Sequence, residues 1–148
     1  MIGRLAALPQ LWLAVFGLTS LLIGWSVDLR LPLWAQYPGW PVFVTGIALM
    51  VWATATMAWA GTTFMPGQVP SRLVTWGPFS FSRNPIYLGD LLVLGGFLLI
   101  FDAAGGLILL PMFVIFLTQR FILQEEATAR QAFGSAYDAY AARVRRWI

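Results

Sequence analysis

The chain of 148 residues contains no cysteine, no histidine and no lysine. Without cysteine it has no disulfide, no thiolate nucleophile and no thiolate-bound metal. Without histidine it lacks the commonest metal ligand and general base, so no metal site is expected. Charge of either sign is scarce: 10% of residues are charged, and the net charge of +3 arises from nine arginines against six acids. A sequence pI near 10 would suit a nucleic-acid partner, but the arginines form no dense run in the first two thirds of the chain. No nucleic acid is therefore expected, and the charge is read as topology. What is abundant is apolar side chain, 59% of residues with a mean hydropathy of +0.76, which is not the composition of a soluble domain. The reading is a single integral membrane domain, residues 1–148.

Leu8 to Val27 offers roughly 20 mostly apolar positions without a charge, enough for a helix to cross a hydrocarbon core of about 30 Å. One arginine precedes this run and no small-residue cleavage pattern follows it, so it reads as a retained span rather than a removed signal peptide. Asp28, Arg30, Pro32, Pro38 and Pro41 mark a proline-broken connection, with Trp34, Tyr37 and Trp40 where an interfacial aromatic belt belongs. Trp40 to Ala60 is the second span; Thr45, Thr54 and Thr56 can bond back to their own helix, and small residues allow close helix contact.

Residues 61–85 break the apolar pattern into a long loop, and long loops in small domains tend to be functional. Ile86 to Phe101 is a third, rather short block, and Asp102 to Gly106 reads as a tight turn. Leu107 to Leu123 returns through the membrane with Pro111 expected to kink it, so spans three and four read as a helical hairpin. In the tail, 124–148, the residues Phe133, Tyr137, Tyr140, Val144 and Trp147 recur at helical spacing. They predict an amphipathic helix on or against the membrane surface, open to interruption at Gly134. The expected fold is all-α and membrane-embedded, with about four transmembrane helices, a loop and a C-terminal amphipathic helix.

Four spans put Arg4, Arg72, Arg83, Arg120, Arg130, Arg143, Arg145 and Arg146 on one side and only Arg30 on the other. The positive-inside rule makes the arginine-rich side, with both termini and the loop, cytoplasmic. That is the inner or plasma membrane if the source is bacterial.

Polar chemistry is concentrated between Trp76 and Asp90. Asn84 before Pro85 suits the start of span three, with Asn84 as a side-chain cap accepting from a free N–H. Such a helix start attracts an anionic group, although a plain cap is the commoner cause of the pattern. Glu125 and Glu126 follow span four on the same side, where a carboxylate could hold a cationic amine. The simpler alternative is a solvated helix start with an i, i+4 pair between Glu126 and Arg130. Arg120 either snorkels to the interface or faces the bundle as an anion contact.

The order of these pieces carries a resemblance. Leu73-Val74-Thr75-x-Gly77-Pro78-Phe79, then Ser82-Arg83-Asn84-Pro85-Ile86-Tyr87-Leu88-Gly89, then a hairpin, Glu125-Glu126, and Phe133-Gly134-x-x-Tyr137-x-x-Tyr140 resembles the isoprenylcysteine carboxyl methyltransferase family and its phospholipid methyltransferase relatives. The resemblance covers residues 61–148 and implies a membrane methyltransferase that uses S-adenosylmethionine. By that resemblance the cofactor contacts fall on Ser71, Arg72, Leu73, Val74, Phe79, Asn84, Pro85, Ile86, Tyr87 and Glu125, and the substrate-side arginine on Arg120. The implied partners are the lipid bilayer and a lipophilic or membrane-embedded acceptor: an isoprenylcysteine-like carboxylate, a thiol or a lipid amine.

Eukaryotic members of the family carry His where this chain has Asn84 and Tyr where it has Phe79. Asn cannot titrate near neutrality, which removes a proton-transfer role at that position. Two other classes compete. A membrane reductase would need a nicotinamide site, and the chain has no Gly-rich dinucleotide fingerprint. A scaffold or transport subunit would make the loop polar residues dispensable.

Overall fold

The computed structural model describes residues 8–27, 29, 31–63 and 69–148. Arg4, Asp28 and Arg30, used above for topology and the first connection, and residues 64–68 of the loop lie outside them. The described residues are helical, with no strand among them.

Helix α1 is Pro9–Ser26, α2 is the single turn Leu33–Gln36, and α3 is Gly39–Trp59. Helix α4 runs Pro85–Ile100. A 3₁₀ segment, Ala104–Ile108, then leads into α5, Leu109–Leu117, a π segment, Thr118–Ile122, and α6, Leu123–Phe133; α7 is Ser135–Arg143. Pro9–Ser26, Gly39–Trp59 and Ala104–Phe133 are long and apolar enough to cross a membrane, and α4 is a shorter apolar helix. Their outer faces are apolar: Leu18, Leu22, Val44, Val51, Trp59, Ile108 and Ile115 are all exposed, as lipid-facing residues must be. Trp34 and Tyr37, in the expected aromatic belt, are 73% and 69% exposed. Thr54 and Thr56 donate to the carbonyls of Met50 and Trp52, both at 2.8 Å, as anticipated for threonines inside apolar helices.

Three features add to or correct the expectations. First, alongside the hairpin of spans three and four, the most extensive helix contact is α3 with α4. Glycines decide this pairing: a Cβ on Gly46 would meet the Gly89 carbonyl at 2.8 Å, and one on Gly39 the Gly96 carbonyl at 2.9 Å. Only glycine lets the two backbones approach so closely. Second, the helix of the fourth span does not end at Leu123. The helix continues through the π segment to Phe133, 30 residues in all, roughly 45 Å at 1.5 Å per residue. That exceeds a hydrocarbon core of about 30 Å, so its last turns stand clear of the lipid. Third, the tail is not one helix. Gly134, at φ +53, breaks it, and α7 stops at Arg143 with Val144 extended.

The apolar face of the tail is therefore spent on packing. Tyr137, Tyr140 and Val144 form a buried cluster with Leu73 and Phe133, while Trp147 packs against the transmembrane core around Leu98, Phe113 and Leu117. The loop is ordered by its own contacts: the Ser71 and Arg72 N–H groups donate to Thr62 Oγ1 at 3.0 and 3.4 Å. Val74 and Phe79 pack on Ala53 of α3.

Candidate functional site

Loop, tail and helix ends enclose a cavity of about 850 Å³, within the usual range for a small-molecule site. One wall is Pro70, Arg72, Leu73 and Val74 of the loop with Phe79, delivered inward by a 3₁₀ turn, Gly77–Ser80. Gly77 at φ +63 permits that turn, in a backbone region that L side chains avoid. The floor is the start of α4: Asn84, Pro85, Ile86 and Tyr87. The third wall is α6 with Glu125, Glu126 and Thr128, and Tyr137 and Tyr140 of α7 close the far side. Leu8, Pro9 and Gln10 at the start of α1, with Thr54 and Met57 of α3, complete the lining towards the membrane.

Nine of the ten cofactor positions named from the sequence line this cavity: Arg72, Leu73, Val74, Phe79, Asn84, Pro85, Ile86, Tyr87 and Glu125. Ser71 does not. Its hydroxyl donates to the Gly61 carbonyl at 3.0 Å, and its role is to fasten the loop. Arg120 is not brought to the cavity either. It stands exposed in the π segment with its guanidinium 5.2 Å from the Phe121 ring centre.

Asn84 occupies the cap position of α4 but makes no side-chain cap bond. Its Nδ2 instead donates to the Arg146 carbonyl at 3.1 Å, so the expected cap is a tie to the tail. The Asn84 N–H donates to Ser82 Oγ at 3.1 Å and Pro85 has no N–H, so the first-turn donors without an intrahelical acceptor are the Ile86 and Tyr87 N–H groups, at the partly positive start of α4. Across from them the Tyr87 hydroxyl donates to Glu125 Oε1 at 2.8 Å. One end of the cavity thus suits an anion and the other a cation, an arrangement that fits an amino-acid-type ligand carrying a carboxylate and an amine.

Glu126 is the residue whose role local pattern mispredicted. It does not pair with Arg130, which binds Asp138 on the surface at 2.8 Å. It takes Arg83 at 3.0 Å and Arg146 at 2.7 and 3.1 Å, the latter side-on through Nη2 and Nε. Arg83 and Glu126 are 14% and 12% exposed, so this pair is nearly desolvated. Arg83 also joins the tail through its own N–H to the Arg145 carbonyl at 3.0 Å and through Nη1 to the Ala141 carbonyl at 3.2 Å. The Tyr140 hydroxyl donates to the Phe79 carbonyl at 2.7 Å. Burial pushes the Tyr140 phenol above its ordinary range, and the Glu126 hydrogen bond holds Arg146 above its own. The tail is thereby clasped over the loop by a charged triad and several main-chain bonds.

Residues 34–136 match the family model of phospholipid methyltransferases. The match takes in α3 together with the loop, α4, α5 and α6, and stops short of Tyr137, Tyr140 and Arg146. No curated protein and no solved structure matches the chain. Since the matched residues make up more than two thirds of the sequence, the chain belongs to the phospholipid methyltransferase family, a family of integral membrane methyltransferases.

Proposed function

We propose that the cavity binds S-adenosylmethionine and that the protein transfers its methyl group to a lipophilic acceptor reaching the site from the bilayer. The observation that carries this reading is the shared lining: the loop positions, the start of α4 and Glu125 surround one cavity of suitable size. Glu125, held by the Tyr87 hydroxyl, would take the cofactor's amine, and the orphan N–H groups of α4 would take its carboxylate. Phe79, Leu73 and Val74 offer an apolar wall to the adenosine. When bound, the cofactor supplies an electrophilic methyl group on a sulfonium.

The chain's own contribution is to bind, orient and exclude water. No titratable base is needed at Asn84 when the acceptor arrives as an anion, so positioning and desolvation supply most of the rate. An isoprenylcysteine-like carboxylate or a thiol already ionised to thiolate meets that condition, whereas a lipid amine attacks as the neutral base and gives up its proton to water after transfer. The arginine distribution supports a single membrane domain, 1–148, with both termini, the loop and the cavity on the cytoplasmic side.

The test is a transfer assay. Purified protein in vesicles of a polar lipid extract, with a farnesylcysteine analogue and a dithiol as further acceptors, is given S-adenosylmethionine labelled in the methyl group. Label recovered in an acceptor, and lost in Glu125→Ala, supports the reading. No transfer to any of these by folded protein overturns it.

A further inference from the structure

Asp90 lies in α4 with no exposed surface, and neither of its carboxylate oxygens has a hydrogen-bond partner. It is three residues from Tyr87 and four from Ile86, so it shares a helix face with two residues of the cavity floor, one turn further into the bundle. Tyr87, one turn earlier on the same helix, donates its hydroxyl to Glu125 Oε1 at 2.8 Å. Among the described residues neither carboxylate is paired with an arginine, because Glu126 takes both Arg83 and Arg146. A carboxylate in an apolar interior persists as an anion only when a cation faces it, and intramembrane acids are otherwise avoided. The fold thus keeps two acids without a counter-charge, Glu125 on the Tyr87 hydroxyl and Asp90 one turn along α4.

Resting on the proposed function, we infer that Asp90 is an electrostatic positioning residue for the sulfonium charge of the cofactor, acting through space from beneath the cavity floor. S-adenosylmethionine brings two cationic centres, an amine and a sulfonium a few bonds apart, which match the two acids. Methyl transfer removes the sulfonium charge, so S-adenosylhomocysteine loses the interaction with Asp90 and keeps the one with Glu125. Asp90 thereby favours the methyl donor over the spent product.

Calorimetry on the full chain in detergent tests this with three ligands: S-adenosylmethionine, sinefungin, which carries an amine near the sulfonium position and no transferable methyl, and S-adenosylhomocysteine. The wild type should bind the first two more tightly than the third. Asp90→Asn should weaken the two extra-charged ligands about tenfold, the order of one partly shielded charge pair, and leave S-adenosylhomocysteine unchanged. Asp90→Leu should give the same ratios and serves if the amide variant does not fold. Equal weakening of all three ligands, or no change in any, overturns the inference and leaves the proposed function standing. A folded wild type that binds none of the three overturns the proposed function, and the inference with it.

Discussion

Glu126 holds together three parts of the chain that are distant in sequence: Arg83 before α4, α6 itself, and Arg146 near the C-terminus. Removing the carboxylate leaves Arg83 nearly desolvated without its counter-ion, so Glu126→Ala should cost about 2–4 kcal/mol. Arg130→Ala, which breaks a pair 58% and 57% exposed, should cost about 0–1 kcal/mol. Thermal unfolding in detergent compares the two directly. Tyr140→Phe should cost about 1 kcal/mol by orphaning the Phe79 carbonyl. The phenol's pKa is raised by burial, so its contribution is complete below its ordinary value of 10.0 and is lost as pH rises beyond it. Wild type should therefore lose stability above about pH 10 more steeply than Tyr140→Phe in melting curves run across that range. Neither Glu126 nor Tyr140 was legible as a clasp. The i, i+4 rule pointed Glu126 at the nearest arginine, and no local rule reaches from residue 126 to residue 83. Asn84 was legible as the start of a helix, but its amide is committed to the tail.

At the scale of elements, hydropathy runs located the helices to within a few residues at most ends, because the length of an apolar run is set by membrane thickness. Which helices pair is set instead by where glycines permit approach. Gly46 and Gly89 sit in separate spans, and their match is visible only once α3 and α4 lie side by side. Gly89→Leu should force the two helices apart and destabilise the protein by several kcal/mol, against less than about 1 kcal/mol for Gly61→Ala plus its local backbone strain, measured by denaturation in mixed detergent. Gly134 separates α6 from α7 at φ +53 and ψ −128, a region that side chains avoid, although a Cβ there would meet nothing within 4 Å. Gly134→Ala should cost about 1–3 kcal/mol from the backbone alone, read out by the same denaturation measurement. The sequence marked this glycine as a possible break. It could not show that the preceding helix continues out of the membrane through a π segment, since no residue pattern announces the end of a span when the helix itself does not end.

For the whole molecule, orientation and cofactor binding are the claims that matter. The chain has no native cysteine, so single cysteines can report sidedness without background. Arg143→Cys should resist a membrane-impermeant maleimide added outside intact cells, and Leu33→Cys, at a position 72% exposed, should react. The opposite pattern would invert the assigned topology. The candidate cofactor residues were readable because they follow one another in a motif order along the loop, α4 and α6. The walls from Leu8 to Gln10 and from Thr54 and Met57 were not, because ends of apolar helices look alike whether or not they border a cavity. The central claim is that this cavity holds S-adenosylmethionine between Glu125 and the start of α4, and calorimetry with S-adenosylhomocysteine tests it most directly. One saturable site is expected, weakened at least about tenfold in Glu125→Ala and unchanged in Arg120→Ala. Absence of binding to folded wild-type protein, or binding indifferent to Glu125→Ala, would contradict it.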